Sequence, residues 1–194
     1  MVLTGLRIAD DPATWAALGF TVEEDRVLVG GIEIQLIGSA AGSGVLGWSV
    51  HGLRSSVLPA IDTVAPSDRT IRHANGAIAV DHVVVFTGDM DATMDALAAE
   101  GLEARRVREV PDSEMRQAFY VLGTALLELG GPVEGESAPR FWGITLAVSD
   151  LDALAERLGP RLGAPRDAIQ PGRRIATLRR GAGSSVPLAF ITPR

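Results

Sequence analysis

The sequence predicts an α+β protein built on a duplicated βαβββ unit. Two segments share one plan: DHVVVFTGDMDATMDAL (81–97) and WGITLAVSDLDALAERL (142–158) each read as a short apolar strand, an Asp, and an amphipathic helix. Each then runs through two further strand candidates to a last apolar strand, TALLELGGP (124–132) and VPLAFITP (186–193). The offset between the two copies stays at 61 residues, from His82/Gly143 and Asp89/Asp150 to Glu128/Ala189 and Pro132/Pro193. One offset held from first strand to last is the mark of a repeat.

The elements follow in order. Residues 1–62 read as a shorter, degenerate copy. LTGLRIADDPATWAALGF (3–20) has a strand, Asp11 as N-cap, Pro12 at the first helical position and Gly19 as stop. DRVLVGGIEIQLIG (25–38) reads as a hairpin, and GVLGWSVHGL (44–53) alternates like a further strand. The stretch 54–76 is rich in turn formers and closes on Asn75-Gly76, so 63–77 is taken as the linker. The first full unit spans 78–133 and the second 138–194. Asp89 and Asp150 are the predicted N-caps of their helices. Met90, Met94 and Leu97 make one buried stripe, and Leu151, Leu154 and Leu158 the other.

Composition narrows the chemistry. The 194 residues suffice for one sizeable domain or two small ones. There is no cysteine, which excludes disulfides, thiolate zinc sites and cysteine nucleophiles. All 18 basic residues are Arg, so neither a Schiff-base lysine nor a P-loop exists here. Net charge is −6 with the basic residues scattered among acids, which argues against nucleic acid or an anionic membrane as partner. No apolar run approaches the roughly 20 residues of a bilayer span, and MVLTGLRIADD lacks the basic flank and apolar stretch of a secretory signal. A cytoplasmic location is the expectation.

Strand alternation places the polar residues. His82 shares a face with Val84 and Phe86, and Glu128 shares one with Leu126 and Gly130. Packing Val83, Val85, Leu127 and Leu129 against the helix turns His82 and Glu128 together onto the opposite, open face. An imidazole and a carboxylate converging on one concave surface are suited to hold a divalent metal.

The motifs DHVVVFTGDMDATMDAL, LGTALLELGGP and FWGITLAVSDLDALAERLG resemble those of the glyoxalase, bleomycin-resistance and extradiol-dioxygenase superfamily, the vicinal oxygen chelate proteins. The resemblance is good over 78–194 and poor over 1–53. It implies two units meeting edge to edge, with curved mixed sheets enclosing a cleft and helices outside. It implies a first-strand His and a last-strand Glu from each unit around a divalent ion (Fe, Mn, Ni or Zn). That ion stabilises an enolate or activates O₂. His82 and Glu128 match those positions as metal ligands and catalytic residues, on a small oxygenated metabolite in a lyase, epimerase or dioxygenase reaction. The second unit departs from the pattern, with Gly143 and Ala189 where ligands would stand. Gln35, from the degenerate copy, is the candidate third ligand; His51, His73 or a second chain are further sources.

Loss of those two ligands leaves room for the apolar body of a bound molecule beside Phe86, Phe141, Gly143, Thr145, Ala189 and Ile191. The alternative to the enzyme is therefore a metal-free binding protein of the drug-sequestering kind, and a third reading is a structural module with a vestigial site. One of Arg173 and Arg174 must face the cleft, where it would pair with an anionic group. Gln117 and Tyr120 fall on opposite strand faces, so at most one lines the cleft. The arginines at 105–108 alternate with Glu103 and Glu109 and read as a solvated face. GSGVLG (42–47) matches G-x-G-x-x-G but is followed by an alternating, strand-like stretch, against a dinucleotide site. An odd number of half-units leaves an edge to cover, so a homodimer is expected.

Overall fold

The computed structural model describes residues 1–53, 57–133 and 135–194. Residues 54–56, which open the connection read over 54–76, lie outside the described residues. The elements are β1 (Val2–Ile8), α1 (Pro12–Ala17), β2 (Arg26–Val29), β3 (Ile32–Leu36), β4 (Val45–His51), β5 (Ala77–Phe86), α2 (Met90–Ala99), β6 (Arg106–Glu109), β7 (Met115–Leu122), β8 (Ala125–Pro132), β9 (Arg140–Val148), α3 (Leu151–Leu158), β10 (Arg166–Asp167), β11 (Arg174–Thr177) and β12 (Leu188–Ile191).

The helices of the two full units start where an Asp can satisfy their free N–H groups. Asp89 Oδ1 accepts from the Ala92 N–H at 2.9 Å, and Asp150 Oδ1 accepts from the N–H groups of Asp152 and Ala153 at 3.1 and 2.9 Å. Met90, Thr93 and Leu97 bury one face of α2; Leu151, Leu154 and Leu158 bury one face of α3. Each helix returns the chain so that the last strand of a unit lies parallel to its first, β8 beside β5 and β12 beside β9.

The two units join through their first strands, β5 antiparallel to β9, into an eight-stranded sheet of order β10-β11-β12-β9-β5-β8-β7-β6. The sheet curls strongly. Laid flat, its edge strands β6 and β10 would stand about 34 Å apart, yet Arg106 of β6 and Arg166 of β10 line one cleft. This is the mixed, curved, unclosed architecture that the resemblance implies.

The N-terminal section forms its own four-stranded sheet, β2-β3-β1-β4. After α1, β3 runs parallel to β1, and β4 pairs antiparallel on β1's other edge, much as β9 does with β5. Asp11 does not cap α1. Its carboxylate accepts instead from the backbone N–H and hydroxyl of Ser39, at 2.9 and 3.0 Å. With six residues and Pro12 first, α1 offers that side chain few free donors. The strand β4 starts at Val45, inside the 42–47 motif, and takes in Gly47, so a strand stands where a phosphate-binding helix would begin.

This section packs on the helix-bearing face of the large sheet. The Trp48 and Phe141 rings meet edge-on with centroids 5.6 Å apart, and one contiguous core takes in Leu6, Ile8, Trp15 and Trp48 with Val83, Leu127 and Leu146. Buried Asp10 ties it to the second unit, accepting from Trp15 Nε1, the Ser184 hydroxyl and the Ser185 N–H. Among the described residues no helix is long and apolar enough to cross a membrane.

Candidate active site

The open face of the large sheet carries a cleft of about 690 Å³. Strand register fixes which residues stand beside one another on the sheet beneath it, though Val84, Gly143, Thr145 and Ala189 do not line the cleft itself. One row runs Arg106, Phe119, Glu128, Val84, Gly143 across β6, β7, β8, β5 and β9; the next runs Leu126, His82, Thr145, Ala189 across β8, β5, β9 and β12. Glu128 and His82 are thus diagonal neighbours on adjacent strands. His82 Nε2 stands 3.5 Å from Glu128 Oε2, with both side chains largely buried.

The pairing of β5 with β9 shifts register between Val80 and His82. This bulge brings Asp81 and His82, which plain alternation would send to opposite faces, side by side. Asp81 Oδ2 accepts from His82 Nδ1 at 3.0 Å, and its Oδ1 accepts from Arg173 Nη2 at 2.7 Å. Burial pushes the Asp81 carboxyl upward, but the hydrogen bonds from His82 and Arg173 and the Arg173 charge outweigh it, holding Asp81 well below the usual carboxylate range. An ionised Asp81 fixes the proton of the imidazole on Nδ1 and aims Nε2 at the cleft. On the other side, Gln117 Nε2 donates to Glu128 Oε1 at 2.7 Å, and Arg108 Nε donates to Gln117 Oε1 at 2.8 Å. A continuous polar chain therefore crosses the sheet: Arg173, Asp81, His82, Glu128, Gln117, Arg108.

Several sequence expectations need correction. Gln35 is not brought to His82. It lies in the four-stranded sheet, accepting from Arg7 Nε at 3.0 Å, and among the described residues none of the N-terminal section lines the cleft. His51 is exposed at the end of β4. His73 is a buried residue of the linker itself, accepting from the Thr21 N–H and bonded to the Leu28 carbonyl; burial lowers its pKa. Phe141 pairs with Val85 across a second bulge and packs on Trp48, away from the cleft. Phe86 lies under the Arg140 guanidinium rather than beside a vacant position. Arg173 is buried and spent on Asp81 and the Thr192 carbonyl, while Arg174 pairs with Asp152 of α3. Of the Gln117/Tyr120 alternatives, Gln117 faces the site and Tyr120 is in the core, where burial raises its pKa to about 12.

Gly143 does not open space. A Cβ there would lie 2.6 Å from the Pro187 carbonyl oxygen, so no ligating side chain fits that position on this backbone. Thr145 and Ala189 stand in the row beside His82 but bring no imidazole or carboxylate. Among the described residues no three His, Asp or Glu side chains are grouped to hold a metal ion. His82 and Glu128 alone supply two donors, against the four or more of a resident divalent site. The donor set does not fit such an ion.

Sequence reasoning passed over Asp81 and the arginines. Arg105, Arg106 and Arg108, read as a solvated face, line the cleft with Arg166 from the opposite edge. The Asp-His dipeptide was the visible signal for Asp81, but the bulge that turns it depends on a partner strand about sixty residues away in the chain.

No protein-family model matches the chain, and no curated protein sequence matches it. Solved structures do. Methylmalonyl-CoA epimerase from Mycobacterium tuberculosis is similar at 21% identity and TM-score 0.52, over 64% of this chain and 93% of that one. A single-residue variant of Streptomyces coelicolor methylmalonyl-CoA epimerase, in complex with 2-nitronate-propionyl-CoA, is similar at 23% identity and TM-score 0.48, over 60% and 94%. At 21% identity the likeness to the first of these concerns the fold alone, which is glyoxalase-like.

Proposed function

We propose that this protein is a glyoxalase-like enzyme that moves a proton at a carbon next to a carbonyl group, with Glu128 and His82 as the acid–base pair. The observation that carries this reading is the 3.5 Å approach of His82 Nε2 to Glu128 Oε2 in the cleft floor, each held from behind by its own partner. With Nδ1 committed to Asp81, Nε2 is the ring nitrogen turned to the cleft, where a proton it carries would point at Glu128 or at a substrate oxygen.

The same spacing suits the two ends of one enolising unit. The Glu128 carboxylate takes the proton from carbon, the electron pair moves to the carbonyl oxygen, and His82 Nε2–H stabilises the oxygen as it gains charge. Glu128 then delivers the proton on the same face, to another carbon of the enolised system for an isomerised product or back to the first carbon for exchange alone. Both groups stand on one wall, so they serve one face of the substrate. This favours an isomerase-type proton shift over inversion by two bases on opposite faces. No step passes through a metal, because the residues present do not make a resident site for Fe, Mn, Ni or Zn. The epimerase activity in the neighbour's name belongs to the same broad class, proton transfer beside a carbonyl.

The test is hydrogen exchange in D₂O. A panel of 2-substituted carbonyl acids and thioesters, methylmalonyl-CoA first, is followed by NMR for deuterium at the α-carbon. At least one compound should exchange, and His82→Ala should slow it by about 10²-fold or more. The reading falls if none exchanges, or if the variant works as well as the parent. A second reading, sequestration without turnover, is favoured by the second unit, whose Gly143 and Ala189 add no reactive group. It predicts tight binding of a panel member that emerges unlabelled.

A further inference from the structure

We propose that the cleft is built for an amphiphilic anion, a molecule with an apolar body and a head of two or more negatively charged oxygens. This deepens the reading above and rests on the same cleft being the working site. The chain carries a net charge of −6, yet the cleft lining holds four arginines and a single acid, Glu128. Arg105, Arg106 and Arg108 come from one edge of the curled sheet and Arg166 from the other, so the cations face one another across the opening. Among the described residues none of the four is in an ion pair, whereas Arg26, Arg69, Arg116, Arg173 and Arg174 all are.

Glu128 does not neutralise them, since its oxygens are engaged by Gln117 and His82. Arg108 is held in place by Gln117 through Nε and lies over the Phe119 ring, 5.5 Å from its centroid. Guanidinium forks match the paired oxygens of phosphoryl and carboxylate groups. Opposed arginines contributed by both units favour a head with more than one charge. Between them Leu126, Ile175 and Ile191 make an apolar surround for the His82–Glu128 pair, and Ile169 stands 76% exposed at the rim. A large apolar residue so exposed beside a cleft is suited to cover the body of a ligand.

The probes are phenylphosphonate, benzoate and benzyl alcohol, compared by calorimetry at low salt. Phenylphosphonate should bind most tightly, benzoate less and benzyl alcohol least, and the phosphonate affinity should fall as salt is raised. The double variant R106Q/R166Q should weaken phenylphosphonate about tenfold or more. R179Q/R180Q, with the same charge change at exposed positions outside the cleft, should not. The proposal is overturned if phenylphosphonate fails to bind, if the three probes bind alike, or if both double variants lose affinity equally. Glu128→Gln separates it from the acid–base reading. Arginine-dependent phosphonate binding with no exchange activity would sink only the acid–base reading; exchange with arginine-independent binding would sink only this one.

Discussion

The two βαβββ units have the same elements in the same order, with comparable caps, but among the described residues only the first sets a His and a Glu on the cleft. At matched positions the first has His82 and Glu128, the second Gly143 and Ala189. The second unit still contributes to the site in two ways. Arg173 reaches across to Asp81 and so orients His82, and Arg166 faces the arginines of the first unit across the cleft. A duplicated fold can thus keep its symmetry in packing while chemistry collects in one copy and support in the other.

Cutting the tie between the units should have the largest effect on stability. Asp81→Asn removes the charge that compensates buried Arg173 and should cost about 3 kcal/mol in urea unfolding. Replacing Arg173 with Met in the same chain should recover part of that loss. A double variant no better than the single would mean the pair is not what joins the units.

Restoring symmetry is the next test. Gly143→Ala drives a Cβ against the Pro187 carbonyl oxygen at 2.6 Å and should cost about 2 kcal/mol. Ala189→Ser, at the half-exposed partner position, should cost much less. Equal melting temperatures for the two would show that the second unit could have kept a ligand where it now has glycine.

The buried histidine of the linker sets a contrast with His82. Burial holds His73 below its ordinary pKa, so the unfolded chain binds its proton first as pH falls. The stability His73 contributes is complete above about pH 6.5 and is lost as pH drops toward its lowered folded value. Urea melts at neutral and mildly acidic pH should show this loss, and His73→Gln should flatten it. An unchanged slope in the variant would assign the acid sensitivity elsewhere. The smallest effect is expected at Tyr120, whose buried hydroxyl has no partner among the described residues. Tyr120→Phe should leave stability unchanged or raise it by up to about 1 kcal/mol; a clear loss would reveal a bond to that oxygen.

Much of this architecture is legible in the chain. The 61-residue offset, the Asp caps and the Leu and Met stripes are local patterns, and they give both units and the face shared by His82 and Glu128. What escapes is set by pairing between distant segments. Two of the three register shifts in the β5–β9 pair move Asp81 into the site and Phe141 out of it. The fate of Gln35 depends on which sheet β3 joins, and the arginines at 105–108 line a cleft only because eight strands curl. Arg173 and Arg174 are adjacent in sequence, yet one is buried against Asp81 and the other pairs with Asp152 at the surface.

The most direct measurement is α-carbon deuterium incorporation by wild type and Glu128→Gln, run with a chelator and then with Mn²⁺, Fe²⁺, Ni²⁺ or Zn²⁺ added. The account predicts exchange that persists under chelation, is not raised by any ion, and falls about 10²-fold or more in the variant. Exchange that requires an added metal, or that survives in Glu128→Gln, would contradict it.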